Sequence, residues 1–294
     1  IKPEHVTPAI DLLLSKSREG FEEIVKSGNA NYVDLVEKSY KLFEPLTQAW
    51  GAISHLNHVV NSDELRDAYN ENLPKISNFF TELSQNKAYY DLYKSIETQS
   101  LRSDQAKALE NEILDFKLSG VALEGAERDR CKDLIAKLSE LNSAFSDAVL
   151  DGTMAWTKNI KTKEELKGIP ESALELFKQN AQQRDQENYL LTLEFPSYLP
   201  LMLYCDDREL RKEVCIARQT IASEIGPNAG KFDNSQRMED IMTARQELAK
   251  LLGFENASEL SLKKKMAKNT SEVLKFLNDL VDRSIETAQK EVQE

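Results

Sequence analysis

Leu134-Ile135-Ala136-Lys137-Leu138-Ser139-Glu140-Leu141, continued by Asn142-Ser143-Ala144-Phe145-Ser146-Asp147-Ala148-Val149, sets apolar side chains at 134, 135, 138, 141, 145, 148 and 149. Steps of three and four return a side chain to one face of a 3.6-residue helix, whereas a strand needs alternation. The stretch therefore reads as a long amphipathic helix, expected to end before Gly152. The same period recurs on both sides of it, so the fold class is mainly α.

Upstream, Thr7 reads as an N-cap with Pro8 at the first helical position, ahead of Ile10, Leu13, Leu14, Phe21, Ile24 and Val25. A second helix carries Leu35, Val36, Leu42, Phe43, Leu46, Trp50 and Ile53, and Pro45 is expected to kink it rather than end it. Ser62 is placed to cap a third, with Asp63 and Glu64 in its positive first turn and Leu65, Tyr69, Leu73, Ile76, Phe80 and Leu83 on one face. A shorter fourth helix holds Leu92, Tyr93 and Ile96, and a fifth runs from Ser103 to near Gly120.

Downstream the period changes. Met154, Trp156 and Ile160 alternate with polar neighbours, and Tyr189-Leu190-Leu191-Thr192-Leu193 is a β-prone run stopped by Pro196, so a small sheet or hairpin is expected. Helical spacing returns near Asp206, then from Ser235 to Leu252 with Gly253 as its stop, and again from Thr270. The expected architecture is a multi-helix lobe with a small β element in the second half. Residues 1–152 form the helical lobe, 153–204 a mixed segment with short strands, and 205–294 the helical start of a following lobe. The last stripe, Val273, Leu274, Leu277, Leu280, Val281, Ile285 and Ala288, runs toward Glu294 without a glycine, proline or cap, and position 1 is not Met. Both features are read as marks of a piece cut from a longer polypeptide.

The chain has 294 residues, 40% of them hydrophobic, which is ample for a core, and a net charge of -12. That charge repels nucleic-acid phosphate and anionic lipid, so neither is an expected partner. Cys131, Cys205 and Cys215 leave one thiol unpaired and have no zinc-type spacing, which points to a reducing compartment, the cytoplasm. The longest apolar run, Tyr198 to Cys205, falls far short of the roughly 20 residues that span a bilayer, and Pro200 interrupts it.

No side-chain set assembles into a catalytic motif. His55 and His58 stand one turn apart, but no carboxylate lies between them, so capping or surface hydrogen bonding is the better reading than a metal site; His5 is a loop residue. Gly226-Pro227-Asn228-Ala229-Gly230-Lys231 is one residue short of a phosphate loop and is followed by Phe232 instead of Ser or Thr. It reads as a connecting loop, with Asp233, Asn234 or Ser235 capping the next helix. The acid pairs Glu22-Glu23, Glu164-Glu165 and Asp206-Asp207 point apart on a helix, and the cysteines have no base partner. Trp50 and Trp156 read as core. Arg245 falls on a stripe of Met238, Ile241, Met242, Leu248, Ala249 and Leu252, where a charge needs a partner. A snorkelling stem or structural ion pair is the first reading and a place at a substrate groove the second. Catalytic, cofactor-binding and metal-ligating residues are accordingly all assigned as none.

Five collinear stretches carry a resemblance that spans essentially the whole chain. They are Ile53-Ser54-His55-Leu56-Asn57 with Asn61-Ser62, then Thr153-Met154-Ala155-Trp156-Thr157-Lys158, then Tyr189 to Leu193 with Pro196-Ser197-Tyr198-Leu199-Pro200, then the 226–231 loop, and last Leu248-Ala249-Lys250-Leu251-Leu252-Gly253-Phe254. In this order the chain resembles the N-terminal portion of the thimet-oligopeptidase-like M3 family of zinc metallopeptidases. The resemblance implies a mostly helical peptidase whose two lobes enclose a channel for short peptides. It also implies a zinc ion held by an H-E-x-x-H helix and a later Glu. No position here matches those ligands, so the resemblance places the metal and the catalytic residues in the rest of the same polypeptide and leaves this segment inactive by itself. A non-enzymatic helical interaction module is the rival class.

Overall fold

The computed structural model describes residues 1–60 and 62–293; Asn61, quoted above beside Ser62, and Glu294 lie outside them. Within the described residues the chain divides into two compact units, Ile1–Glu140 with Thr243–Glu294, and Leu141–Met242.

In the first unit, α1 (Val6–Ser27), α2 (Lys38–Val59) and α3 (Asp63–Ser84) pack together. Ile10 and Leu14 of α1, Leu46 and Ile53 of α2, and Leu65, Ile76 and Phe79 of α3 share one core, as their spacing of three, four and seven requires. Ser62 caps α3 as expected, accepting the Leu65 amide at 3.3 Å. Thr7 does not cap α1. A 3-10 turn over Pro3–His5 feeds directly into the helix, so Thr7 already lies inside it, where its hydroxyl accepts from Asn72 Nδ2 at 2.8 Å. The helix through Pro45 continues unbroken, and a π-helical turn, Val33–Glu37, precedes it.

A second core in the same unit joins α4 (Lys87–Lys94) and α5 (Ser103–Leu118). Tyr89, Tyr93, Leu109 and Phe116 pack there on Leu35 and Val36. The Tyr89, Tyr93 and Phe116 rings meet edge to face with centroids 4.9 to 5.5 Å apart, a favoured aromatic geometry. Two further helices of this unit, α11 (Ala257–Leu262) and α12 (Thr270–Gln293), lie in its C-terminal stretch, and Asn256 caps α11 through the Glu259 amide.

The second unit is built on a two-stranded antiparallel sheet, β1 (Thr157–Ile160) and β2 (Tyr189–Thr192), with Thr157 opposite Thr192 and Ile160 opposite Tyr189. It is not a local hairpin, because α7 (Glu171–Gln182) lies between the strands. Then follow α8 (Phe195–Tyr204) and α9 (Arg208–Gln219), the latter capped by Asp207, whose Oδ1 accepts the Glu209 and Leu210 amides. Trp156, Ile160, Leu174, Phe177, Leu191 and Leu201 form the core of this unit.

The boundaries between the units fall inside α6 (Gly125–Ala155) and α10 (Ser235–Leu251). The long helix α6 does not stop at Gly152. A Cβ there would lie 3.2 Å from the Ala222 amide nitrogen and from Ile221 Cγ2, so this glycine serves close packing, not a helix stop. Gly253, by contrast, has φ of 83° and closes α10 as expected.

Candidate functional site

His55 and His58 both project from exposed positions of α2. The Nδ1 of His58 is 2.6 Å from the Ser54 carbonyl oxygen, a local hydrogen bond one helical turn back. Among the described residues no three His, Cys, Asp or Glu side chains converge to hold a metal ion. The described residues therefore do not fit a catalytic zinc site.

The 226–231 loop is wound on itself. The Ala229, Gly230 and Lys231 amides donate to the Gly226, Ser223 and Asn228 carbonyls, and Gly226 has φ of 92° with the Thr220 side chain standing where a Cβ would fall. These amides are spent within the turn, Lys231 sits over the Phe232 ring, and the element before the loop is α9, not the strand a phosphate loop follows. At the start of α10, Asp233 Oδ1 accepts the Ser235 amide at 2.8 Å.

The acid pairs serve structure or solvent. Glu165 accepts from the Thr162 amide and hydroxyl, Asp206 pairs with Lys167, and Glu22 and Glu23 are exposed. Cys131 and Cys205 are buried free thiols whose pKa burial pushes up, the reverse of what a nucleophile needs. Trp50 stacks on Tyr69 at 4.8 Å and Trp156 lies in the core of the second unit, both as read. At Arg245 it is the expected apolar stripe that the structure corrects. Met238 and Met242, its neighbours on the expected apolar stripe, are exposed, while Ile241, Ala244 and Ala249 are the buried positions. The helix turns Arg245 to solvent, where its charge needs no protein partner.

Three features become visible only in the folded chain. The apolar stripe of α12 is uncovered: Leu274, Leu277, Leu280, Val281 and Ile285 are 44–60% exposed. On α8, Phe195, Leu199 and Leu203 form an exposed row at intervals of four. Finally, a cavity of about 560 Å³ opens among α2, α3, α4 and α5. Its deep wall is a hydroxyl chain, Tyr89 to Ser39 at 2.6 Å and to Tyr93 at 3.1 Å, and at its edge Tyr40 donates to Glu112 at 2.6 Å. That carboxylate pushes the Tyr40 phenol up to about 12.

Residues 10–128 match the family model described as Neurolysin/Thimet oligopeptidase, N-terminal domain, and residues 201–294 match that of Peptidase family M3. Oligopeptidase A of Haemophilus influenzae is 45% identical over 298 residues, which takes in 100% of this chain and 44% of that protein. The chain belongs to peptidase family M3. Oligopeptidase A of Escherichia coli is 44% identical across 99% of this M3 chain and 44% of its own length. A probable cytosolic oligopeptidase A of Arabidopsis thaliana is 36% identical across 91% and 39%. The M3 chain thus spans less than half the length of these relatives, and it aligns with the N-terminal part of the bacterial ones. The stretches that carried the resemblance are mostly framework of this M3 chain: Ile53 and Asn57 are buried in α2, Leu190 to Leu193 in and after β2, and Ala249 in α10.

Proposed function

We propose that this chain is the N-terminal portion of a zinc-dependent oligopeptidase that hydrolyses short peptides, and that it contributes wall to the substrate channel. The observation that carries the reading is the 45% identity to an oligopeptidase A along the whole of the chain. Zinc and its ligands belong to the remainder of the parent polypeptide, because the histidines here are His55 and His58, exposed one turn apart on α2, and His5. The segments 1–152, 153–204 and 205–294 are proposed as its parts in the parent enzyme.

The remainder of the polypeptide is also the partner that this reading gives to the uncovered stripe of α12. Five large apolar side chains in a row make a continuous face of the kind that marks a contact surface. The enzyme is placed in the cytoplasm, in keeping with three free thiols. No helix of the described residues is long and apolar enough to cross a membrane.

A quenched fluorescent peptide tests the proposal. The parent protein is expected to cleave it, to lose cleavage on chelation and to regain it with zinc, while the 294-residue chain alone leaves it intact. Cleavage by the chain alone, or chelator-insensitive cleavage by the parent, would overturn the reading.

A further inference from the structure

We propose that the cavity among α2, α3, α4 and α5 is a binding site for a small organic ammonium with an aromatic or alkyl body, held against the Glu112 carboxylate. Its walls are the rings of Phe43, Phe80, Tyr93 and Phe116, and its volume of about 560 Å³ lies within the range of small-molecule sites. Rings of this kind accept the body by burial and the charged head by its attraction to their faces.

The charge at the site selects the ligand. Among the described lining residues, Glu44, Glu112 and Asp115 stand against one cation, Lys41. Asp115 is already taken by Lys264 at 2.5 Å, and Glu44 accepts from Gln48 Nε2 at 2.9 Å. Glu112 is half-buried and receives one neutral donor, the Tyr40 hydroxyl; among the described residues no Lys, Arg or His pairs with it. A half-buried carboxylate beside an apolar wall gains most from a cation that brings its own apolar cover. The inner hydroxyls of Ser39, Tyr89 and Tyr93 bond to one another, so the deep end needs no ligand donor and suits the apolar body. An anion would meet three carboxylates, and a neutral ligand would leave Glu112 unanswered.

Nothing in this site depends on the peptidase reading, so the two fail separately: binding is read without substrate or turnover. Calorimetric titration of the 294-residue chain with phenethylammonium chloride and with 2-phenylethanol, at neutral pH and low salt, compares a cation with a neutral body of the same shape. Saturable one-to-one binding of the ammonium is expected, about tenfold tighter than the alcohol or better. Glu112→Gln keeps an acceptor for Tyr40 and is expected to erase that preference while the helical circular dichroism stays unchanged. Thr47→Trp, which fills the cavity mouth without touching Glu112, is expected to abolish binding of both ligands. Equal affinity for the two ligands, no saturable binding of either, or a preference that survives in Glu112→Gln would overturn the proposal. So would undiminished binding by Thr47→Trp, which also serves if Glu112→Gln does not fold.

Discussion

Arg130 and Glu247 form a two-pronged ion pair, Nε to Oε1 at 2.6 Å and Nη2 to Oε2 at 2.7 Å, between side chains 117 positions apart in sequence. Both belong to the first unit, so the pair fastens the stretch that returns after residue 242 to the helices of residues 1–140. A guanidinium fork on a carboxylate is the strongest geometry a partly exposed pair can have.

The pair has a pH signature. Arg130 holds the Glu247 carboxyl below its ordinary range, so the folded pKa is depressed. Its stabilisation is therefore present above the ordinary glutamate pKa and is lost as pH falls through the depressed value. Glu247→Gln is expected to lower the melting temperature slightly at pH 7, with the difference closing on acidification below about pH 4 and shrinking in high salt. Arg130→Lys, which keeps charge but not the fork, is expected to recover only part of it. A difference independent of pH would mean that packing, not charge, is what the substitution disturbs.

Gly168 supports the second unit through shape alone. Its φ is 93°, and a Cβ would fall 2.1 Å from the Tyr204 carbonyl oxygen, next to the hydrogen bond from the Asp206 amide to the Lys167 carbonyl. Gly168→Ala combines left-handed strain with a backbone clash and is expected to cost roughly 2–4 kcal/mol. Gly28→Ala is the control, since Gly28 has φ of 65° but open space around it, and about 1 kcal/mol is expected. Urea unfolding of the two variants measures the contrast.

What the sequence made legible follows the same division between local and distant causes. The buried faces of α1 and α3, the Ser62 cap and the Gly253 stop all depend on residues within a turn or two of each other. Helix α7 is just as local, with Ala173, Leu174, Phe177 and Ala181 at its period after Pro170, although 153–204 is expected only as a mixed segment with short strands. The Gly152 stop and the stripe around Arg245 depart from expectation for a different reason. Whether a glycine ends a helix or admits the backbone at Ala222, and whether a stripe is covered, is decided by residues far away in sequence. The cavity is the extreme case, since Tyr40 and Glu112 are 72 positions apart and neither is unusual where it stands.

The exposed stripe of α12 predicts behaviour of the chain by itself. Leu277, Leu280 and Val281 are 48–53% exposed within a continuous apolar row, which favours self-association and the uptake of apolar dyes. Leu277→Gln with Leu280→Gln is expected to reduce both, as read by sedimentation and dye fluorescence, without loss of helix signal. If the parent polypeptide covers this face, the same pair of substitutions there lowers thermal stability instead. Unchanged association of the doubly substituted chain would point to the α8 row of Phe195, Leu199 and Leu203 as the sticky face.

Tyr40 and Glu112 give a test at the other end of the pH scale. The hydroxyl donated to Glu112 at 2.6 Å, with burial adding to it, raises the Tyr40 phenol to about 12. A folded pKa above the unfolded one means that the contribution is complete below the ordinary phenol value and is lost as pH rises from about 10 to about 12. Tyr40→Phe should therefore be less stable than the parent chain at neutral pH, with the gap narrowing across that alkaline window. In Glu112→Gln the acceptor is neutral, so the Tyr40 phenol is expected to titrate nearer its ordinary value, seen as an earlier rise in phenolate absorbance. An unchanged titration curve would show that burial, not the carboxylate, holds the proton on Tyr40. Because Glu112 is also the proposed seat of an ammonium ligand, adding benzyltrimethylammonium, which keeps its charge at alkaline pH, should draw charge from the Tyr40 contact and bring its ionisation to lower pH in the unsubstituted chain but not in Glu112→Gln.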